Sequence, residues 1–287
     1  MDYLDLLYDD LLSQGIAHPD WMLGAMAGAL TAFFVQLYYW LGRYGGLPRF
    51  RNNRGIRPQI PSPPVSVVVV IRENGYYFIE NYLPLLLGQR YDEFEVVAVD
   101  CSYDEEIGEL LHEKSLACSR LHVTAIKQQR SAGHGTKLAL TVGIKACAYE
   151  HIVFTTTDCY PSSDKWLSLM AKGFINGDIV IGYCGIEPGK GLANRLMRCS
   201  RLAGSVRWLS AATRSRAYRG IAGNIGYTKS LYFESRGFNY LNMEIGDDDL
   251  FIQKIATSDN VSVVMNPAAT MRQVPFGGLG WWRAVRR

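Results

Sequence analysis

A short apolar run at residues 152–154 leads through three threonines to an acidic residue, Asp158, and a proline and helix-capping residues come soon after it. This order predicts a strand that ends in an acidic tip, followed by a loop and a helix. In open α/β sheets, ligands bind beyond the carboxyl ends of the strands, so Asp158 would offer a hard oxygen ligand to a metal ion or a ribose. The alternative is that Asp158 caps the following turn, because aspartate is a common turn residue.

A second acidic cluster, formed by Asp247, Asp248 and Asp249, precedes a stretch whose apolar residues recur at the spacing of one helix face. Adjacent carboxylates at the start of a helix can be caps that the helix dipole favours. Their mutual repulsion instead predicts a functional role for at least one of them, with a raised pKa.

Apolar runs and helix-like stretches alternate along most of the chain. The predicted strands cover residues 65–71, 94–100, 121–126, 152–157 and 178–183. The predicted helices cover residues 76–87, 105–117, 137–149 and 163–174. This alternation with short loops predicts βαβ units and a doubly wound, mostly parallel α/β sheet.

Polar residues follow three of these strands, and parallel strands present their carboxyl ends at one edge of a sheet. These residues are Arg72 and Glu73 after the first strand, Asp100 and Asp104 at the second, and Asp158 after the fourth. We therefore expect them to meet in one crevice. The sequence has no GxGxxG after the first strand and no GxxxxGK[ST], which disfavours a dinucleotide oxidoreductase and a P-loop phosphotransferase.

Composition limits the remaining function classes. The chain has 287 residues, 48% of them hydrophobic and 20% charged, which is typical of one large globular domain with appendages. A net charge of +3 gives no electrostatic footprint for nucleic acid. The 6 cysteines form no CxxC pair, so neither a disulfide framework nor a structural zinc site is indicated, and a reducing cytosolic environment is expected.

The N-terminal part of the chain predicts a membrane anchor. Residues 21–41 contain no charged residue and are long enough, as a helix, to cross the hydrocarbon core, with aromatic residues at both ends. We predict a transmembrane helix over residues 21–43, although a buried core helix has a similar composition. The acidic segment at residues 1–20 disfavours a signal peptide. Arginines after the span place residues 1–20 outside the cytoplasm and the rest inside it.

The segment after the span, residues 44–64, is rich in proline and arginine. Such a segment tethers a domain, and its arginines would lie among anionic headgroups. Further along, residues 185–220 carry many arginines interleaved with apolar residues. This pattern fits either a solvated helix face or an amphipathic helix on an anionic leaflet.

The order of VSVVVVIREN, VVAVDCSYDE, RSAGHGTKLALTVGIKA, FTTTDCYPSSDKW, GIAGNIGYTKSLYFESRGF and GDDDLF resembles the family 2 glycosyltransferases of the GT-A fold. The most similar members are membrane-anchored bacterial enzymes that build surface polysaccharides. The resemblance implies a GT-A domain over residues 65–270 and a basic Trp/Arg segment over residues 271–287. It implies transfer of a sugar, with inversion, from a UDP-sugar or GDP-sugar to a saccharide or lipid-linked acceptor. UDP is the favoured nucleotide, and the expected location is the inner membrane with the catalytic domain in the cytoplasm.

The same resemblance implies roles for individual residues. The residues matching the family's nucleotide contacts are Arg72, Glu73, Asp100, Asp104 and Lys137. Asp158 matches the second aspartate of the metal-binding DxD motif, which would hold Mg²⁺ or Mn²⁺. The general base would be Asp248, with Asp247 as the second choice. The residues matching acceptor, sugar or diphosphate contacts are Asn224, Trp281, Trp282 and Arg283.

The sequence departs from the family pattern at several positions. Thr156 stands where the family has the first DxD aspartate, and Val99 stands where an acidic residue often precedes Asp100. Ala284 replaces the glutamine of QxxRW, and Gln273 lies too far upstream to match it. These departures motivate an alternative, a membrane-anchored nucleotide-sugar-binding or assembly protein that lacks turnover. A nucleotidyltransferase would require a glycine- and lysine-rich loop after the first strand, and IRENGYY is not such a loop.

Overall fold

The computed structural model describes residues 3–13, 19–47, 63–72, 74–102, 104–126, 135–238 and 247–275. The chain divides into two compact units, Met1–Phe50 and Arg51–Arg287. The residues predicted as a linker, 44–64, are described only at 44–47 and 63–64.

The smaller unit consists of helices. Helix α1 covers Tyr3–Ser13, and α2 covers Pro19–Leu37 and continues as a π-helical segment over Tyr38–Tyr44. The stretch Trp21–Tyr44 has 24 residues and a mean hydropathy of 1.4, and none of its most apolar window is buried. By length and composition this helix can cross a membrane. It coincides closely with the predicted span at residues 21–43.

The larger unit contains all the strands of the described chain. Its strands are β1 (Val65–Ile71), β2 (Phe94–Asp100), β3 (Leu121–Ala125), β4 (His151–Thr156), β5 (Cys159–Pro161), β6 (Ile179–Gly182), β7 (Cys184–Ile186), β8 (Ile225–Thr228), β9 (Val261–Val264) and β10 (Met271–Gln273). Its helices are α3 (Gly75–Asn81), α4 (Leu83–Leu87), α5 (Glu105–Ala117), α6 (Gly135–Ala146), α7 (Trp166–Gly173), α8 (Leu192–Ala212), α9 (Lys229–Glu234) and α10 (Asp247–Ile255).

Seven strands form the main sheet in the order β3-β2-β1-β4-β8-β6-β9. The pairs β1–β2, β1–β4, β2–β3 and β6–β9 are parallel, and β8 runs antiparallel to both β4 and β6. The predicted mostly parallel α/β sheet is therefore confirmed. A second, three-stranded sheet has the order β5-β10-β7.

The register of the main sheet brings the predicted strand tips to one edge. Ile71 lies opposite Asp100, and Val70 lies opposite Thr156. Strands β1, β2 and β4 therefore end side by side, with Asp158 two residues beyond the end of β4. The strand ends adjoin as expected, whereas a single crevice shared by all of their polar side chains stays a prediction.

The core forms because β1 and β2 are buried on both faces, as their valine-rich runs predict. Helix α6 packs closely over this pair at Gly143. A Cβ atom at that position would lie 2.8 Å from Cγ1 of Val68 and 2.9 Å from Cγ2 of Val99. Glycine is therefore required where the helix backbone approaches the sheet.

One predicted helix is divided. Residues 76–87 were expected to form a continuous helix, but the structure has α3 and α4 with Tyr82 between them. Pro84 lies at the start of α4, where its ring and missing N–H prevent the preceding turn from continuing through it.

Candidate functional site

Asp158 lies in the short connection between β4 and β5, and its half-buried carboxylate is held on both sides. The Thr156 hydroxyl donates a hydrogen bond to Oδ1 at 2.5 Å, and Nε2 of Gln273 donates to Oδ2 at 2.6 Å. Both donors are neutral side chains rather than the backbone N–H groups that a turn cap would use. The Cys159 thiol donates a third, longer bond to Oδ1 at 3.6 Å. A carboxylate has about four lone-pair sites, so room remains for a further ligand.

Gln273 reaches Asp158 because β10 pairs antiparallel with β5, which places Gln273 opposite Cys159. The backbone reinforces this arrangement, since the Val274 N–H donates to the Asp158 carbonyl oxygen at 2.9 Å. On its other side, Oε1 of Gln273 accepts a hydrogen bond from Nη2 of Arg201 at 2.7 Å. Arg201 belongs to α8. We call these four side chains, Thr156, Asp158, Gln273 and Arg201, the Asp158 network.

Sequence reasoning missed Gln273 and Arg201. Gln273 was considered only as a member of a closing motif, which it does not match. Gln273 is brought to Asp158 by the pairing of β10 with β5, two segments more than a hundred residues apart in the sequence. Local periodicity does not encode such a pairing. Arg201 is one of several arginines in α8, and its spacing does not distinguish it from the others.

A pocket of about 970 Å³ opens beyond the carboxyl ends of β1 and β2. Its lining residues are Arg72, Asn74, Gly75, Tyr76, Tyr77, Ser102, Asp104, Glu105 and Ile107. The structure thus brings together two residues predicted to contact the nucleotide, Arg72 and Asp104. A third, Glu73, lies outside the described residues.

The two carboxylates after β2 already have structural partners. Asp100 is 8% exposed, and its Oδ1 accepts from the Ser102 N–H at 2.9 Å and from the Ser102 hydroxyl at 2.7 Å. Asp104 caps α5, because its Oδ1 accepts from the Glu106 N–H at 3.1 Å. Asp104 is nonetheless exposed and lines the pocket, whereas Asp100 shapes the turn beneath it. Their contacts with a nucleotide stay predictions.

The pocket also contains a phenol with an altered pKa. The Tyr76 hydroxyl donates to Oε2 of Glu106 at 2.5 Å. This hydrogen bond, with smaller contributions from burial and nearby carboxylates, raises the pKa of Tyr76 to about 12. Like any phenol, Tyr76 is protonated at neutral pH, and it presents a neutral aromatic ring at the pocket wall.

Other predicted site residues lie at the start of α6 and beyond the described chain. Lys137 is half-buried in the first turn of α6, where its carbonyl oxygen accepts from the Thr141 hydroxyl at 2.7 Å. Trp281, Trp282 and Arg283 lie outside the described residues.

The second acidic cluster opens α10, which begins at Asp247. The side chains of Asp247 and Asp248 are outside what the structure describes, so the choice of Asp248 as general base stays a prediction. Asp249 forms an ion pair with Arg219, with Nε and Oδ2 separated by 3.2 Å. Burial raises the pKa of the Asp249 carboxyl, while Arg219 and the Gly220 N–H oppose the rise. One carboxyl of the cluster therefore has a raised pKa, with burial as its cause instead of the mutual repulsion invoked from the sequence.

Asn224 has a structural role instead of the predicted sugar contact. Its side chain is fully buried, and its Oδ1 accepts from Nε1 of Trp166 at 2.9 Å. Its Nδ2 donates to the carbonyl oxygens of Tyr183 at 2.8 Å and Ala269 at 3.0 Å. Because both amide protons are used and no atom is accessible, Asn224 joins α7 to the two sheets and cannot reach a ligand.

A mostly parallel sheet with one antiparallel inner strand, an acidic tip after β4 and a pocket beyond β1 and β2 define the GT-A-like fold seen in glycosyltransferases. Among solved structures, a mannosyltransferase from Pyrobaculum calidifontis in complex with GDP-Man and Mn²⁺ is similar, with a TM-score of 0.66 at 21% sequence identity. The match covers 91% of this chain and 72% of that chain.

The structure of TarS 1-349 from S. aureus is also similar, with a TM-score of 0.52 at 20% identity over 74% of this chain and 60% of that chain. Its complex with UDP-GlcNAc gives a TM-score of 0.54 at 18% identity, covering 75% of this chain and 59% of that chain. This chain therefore spans less than two thirds of TarS 1-349. No protein-family model matches the sequence, and no curated protein matches it. At these identities the likeness establishes the fold.

Proposed function

We propose that this protein is a glycosyltransferase that moves a sugar from a nucleotide-diphosphate donor to a hydroxyl of a saccharide or lipid-linked acceptor. The observation that carries the proposal is the carboxylate of Asp158, held by Thr156 and Gln273 just beyond β4. This position lies at the strand edge where open α/β sheets bind ligands. Structures with the same fold hold GDP-Man and UDP-GlcNAc, which supports a UDP- or GDP-linked donor.

The residues at this edge fit a hard divalent cation. Asp158 offers a carboxylate oxygen that can bind a metal ion. The described part of the chain contains no group of three or more His, Cys, Asp or Glu side chains that could hold a metal, so ligands from outside the protein would have to complete the shell. Mg²⁺ and Mn²⁺ sites in phosphate-transferring enzymes use one or two carboxylates and complete the shell with phosphate oxygens and water. When bound, such an ion stabilises negative charge on the departing nucleoside diphosphate. Asp158 is the residue proposed to hold it.

The chain's own residues supply the remaining functions. Arg72 at the pocket and Lys137 on α6 would contact the nucleotide portion of the donor. Asp248, or Asp247 in its place, would accept the proton of the acceptor hydroxyl as its oxygen attacks the anomeric carbon. The new carbon–oxygen bond forms on the face opposite the leaving diphosphate, so the configuration inverts without a covalent enzyme intermediate.

We also propose that the helix over Trp21–Tyr44 anchors the enzyme in a bacterial inner membrane. The uncharged span and the arginines that follow it support a single crossing with the catalytic domain on the cytoplasmic side. The arginines of residues 44–64 would lie among anionic headgroups. A nucleotide-sugar donor made in the cytoplasm and an acceptor held at the membrane fit a role in cell-surface polysaccharide synthesis.

The Thr156 position favours a second candidate. A hydroxyl occupies the place of the first DxD aspartate and donates to Asp158 instead of adding a second carboxylate. A site with fewer charges would suit a membrane-anchored protein that binds nucleotide sugars without turning them over.

The test is nucleoside diphosphate release by the detergent-solubilised full chain from a panel of UDP- and GDP-sugars, with and without Mn²⁺. Bacterial membrane extract supplies acceptors, and donor binding is measured in parallel. Metal-dependent release from one donor supports the transferase and names its donor. Binding without release would favour the second candidate, and the absence of binding to every donor would contradict both.

A further inference from the structure

Helix α8 presents an apolar stripe to the outside of the larger unit. Leu192 is 72% exposed, Leu196 is 49% exposed and Leu202 is 54% exposed. Cys199 and Ala203 are also exposed, and together the five residues follow helical spacing along one side of α8. We call these five residues, Leu192, Leu196, Cys199, Leu202 and Ala203, the outer stripe.

Positive charge flanks the outer stripe. The exposed arginines of α8 are Arg195, Arg198 and Arg207, and Leu192–Ala212 contains no acidic residue. A solvated helix face normally mixes both charge signs, because (i, i+4) pairs of opposite charge stabilise it. Leucines combined with charge of one sign indicate a surface that binds something apolar and anionic at once.

The opposite side of α8 is fixed in the fold. Trp208 and Leu209 are buried, and the helix packs on β7 and β9. At its start, Asn194 accepts from the Gly189 N–H at 2.8 Å and donates to the Glu187 carbonyl oxygen at 3.0 Å. The leucines of the outer stripe are therefore held outward by the packing of the helix rather than exposed at a frayed end.

We propose that the outer stripe docks the larger unit on an anionic lipid surface. A membrane interface offers acyl chains to the leucines and phosphate groups to Arg195, Arg198 and Arg207. Nucleic acid would bind the arginines but leave the leucines in water. An independent feature supports a lipid surface, because the same chain carries the apolar helix Trp21–Tyr44, which is long enough to keep it at a membrane.

Docking through this helix has a consequence for the site. Arg201, on the inner side of α8, donates to Gln273, which in turn donates to Asp158. Lipid headgroups under the outer stripe would thus lie one helix diameter, about 10 Å, from the Asp158 network. This consequence rests on the proposed function and fits an acceptor carried by a lipid. The docking itself does not depend on catalysis.

The native Cys199 allows a direct test, since it is exposed at the centre of the outer stripe. The full chain is placed in vesicles and labelled at Cys199 with an environment-sensitive fluorophore. The half-buried Cys101 and Cys118 are replaced by serine to prevent side labelling. One set of vesicles contains phosphatidylcholine alone, and the other contains phosphatidylglycerol as well. Brominated acyl chains in either set quench a fluorophore that enters the bilayer.

The proposal predicts a blue-shifted, quenched fluorophore in the anionic vesicles and a weaker effect in phosphatidylcholine. Each of Arg195→Gln and Arg198→Gln should lower the docking equilibrium roughly fivefold, because an arginine near an anionic surface contributes about 1 kcal/mol. Leu192→Ser with Leu196→Ser should abolish quenching. All four side chains are exposed, so thermal unfolding should be unchanged.

A matched control places the fluorophore elsewhere on the same unit. Leu116 on α5 is 78% exposed, and Leu116→Cys in a Cys199→Ser background reports on general contact with the vesicle. Equal quenching at both positions would overturn the proposal, as would a Cys199 fluorophore that stays in water in anionic vesicles. A blue shift that appears only as protein concentration rises would assign the outer stripe to self-association. That result would overturn the proposal as well. None of these readouts uses activity, so the result is independent of the proposed transferase function.

Discussion

Replacing Gln273 by leucine should impair the site without unfolding the protein. Leucine fills a similar volume but cannot donate to Oδ2 of Asp158, a contact of 2.6 Å in the structure. It also removes the acceptor that Arg201 uses at 2.7 Å. The Asp158 carboxylate would then keep only its bonds at Oδ1, from the Thr156 hydroxyl and the Cys159 thiol, and could rotate away from its ligand-binding orientation.

The size of the effect follows from the kind of hydrogen bond. A bond to a charged group contributes about 1.5–3 kcal/mol, which corresponds to a fall of about 10- to 150-fold in kcat/KM if the orientation of Asp158 limits the reaction. Gln273→Glu should be at least as damaging, because it keeps the shape but sets a second carboxylate at hydrogen-bonding distance from Asp158.

The assay is nucleoside diphosphate release at several Mn²⁺ concentrations. We expect both Gln273 variants to need more Mn²⁺ for half-maximal rate, a shift that a purely structural role would not produce. Gln253→Leu is the matched control, since Gln253 is exposed and donates to the Tyr218 carbonyl oxygen at 3.2 Å. Unchanged turnover and Mn²⁺ dependence in Gln273→Leu would refute the role assigned to this residue.

Three further predictions concern stability, measured by thermal or denaturant unfolding in detergent. Asn224→Leu leaves the buried Trp166 indole N–H and the Ala269 carbonyl oxygen without their partner, whereas the Tyr183 carbonyl oxygen keeps its bond from the Met271 N–H. The loss should cost about 2 kcal/mol or more and lower Tm by roughly 4–8 °C; an unchanged Tm would contradict its structural role. Gly143→Ala forces a methyl group against the sheet and should cost about 1–3 kcal/mol, whereas a gain in Tm would show that α6 can move away. Burial raises the pKa of Asp249, so the folded chain holds this proton more tightly than the unfolded chain, and stability should fall as pH rises above about 4. Asp249→Asn should flatten that dependence, and an unaltered pH profile would contradict the assignment.

The sheet could be predicted from sequence where the signal is local. Strands β1 and β2 have the predicted bounds, because both faces of each strand are buried and their sequences are mostly apolar and rich in valine. The acidic tip at Asp158 was also predictable, since one stretch of chain contains the strand, the turn and the carboxylate. The carboxyl ends of parallel strands then had to converge.

The misassigned stretch around Asn224 shows why the rest was not predictable. The family resemblance implies that Asn224 contacts a ligand, and the glycines beside it would suit a close approach of that ligand to the backbone. In the structure they allow the chain itself to pack. A Cβ atom at Gly223 would lie 2.8 Å from Sγ of Cys159, and one at Gly226 would lie 2.7 Å from the Ile152 carbonyl oxygen. A glycine needed for close packing and one needed for a ligand look the same in a sequence.

The Asp158 network was hidden for a different reason. Gln273 reaches Asp158 only because β10 pairs with β5. Arg201 reaches Gln273 only because α8 packs on β7 of the small sheet. Both are contacts between distant segments, so propensity and periodicity carry no information about them. A departure from the family motif at Thr156 could be seen in the sequence, but its hydrogen bond to Asp158 could not.

The most direct test of the central claim compares Asp158→Asn with Asp164→Asn in Mn²⁺-dependent release of nucleoside diphosphate from the donor that the panel identifies. Asp164 lies in the same segment of the chain, pairs with Arg90 at 2.6 Å and is partly exposed, so its replacement controls for the loss of a nearby charge. We predict that Asp158→Asn abolishes metal-dependent release while Asp164→Asn retains it. Equal activity in the two variants would contradict the assignment of Asp158 as the metal-binding and donor-binding residue.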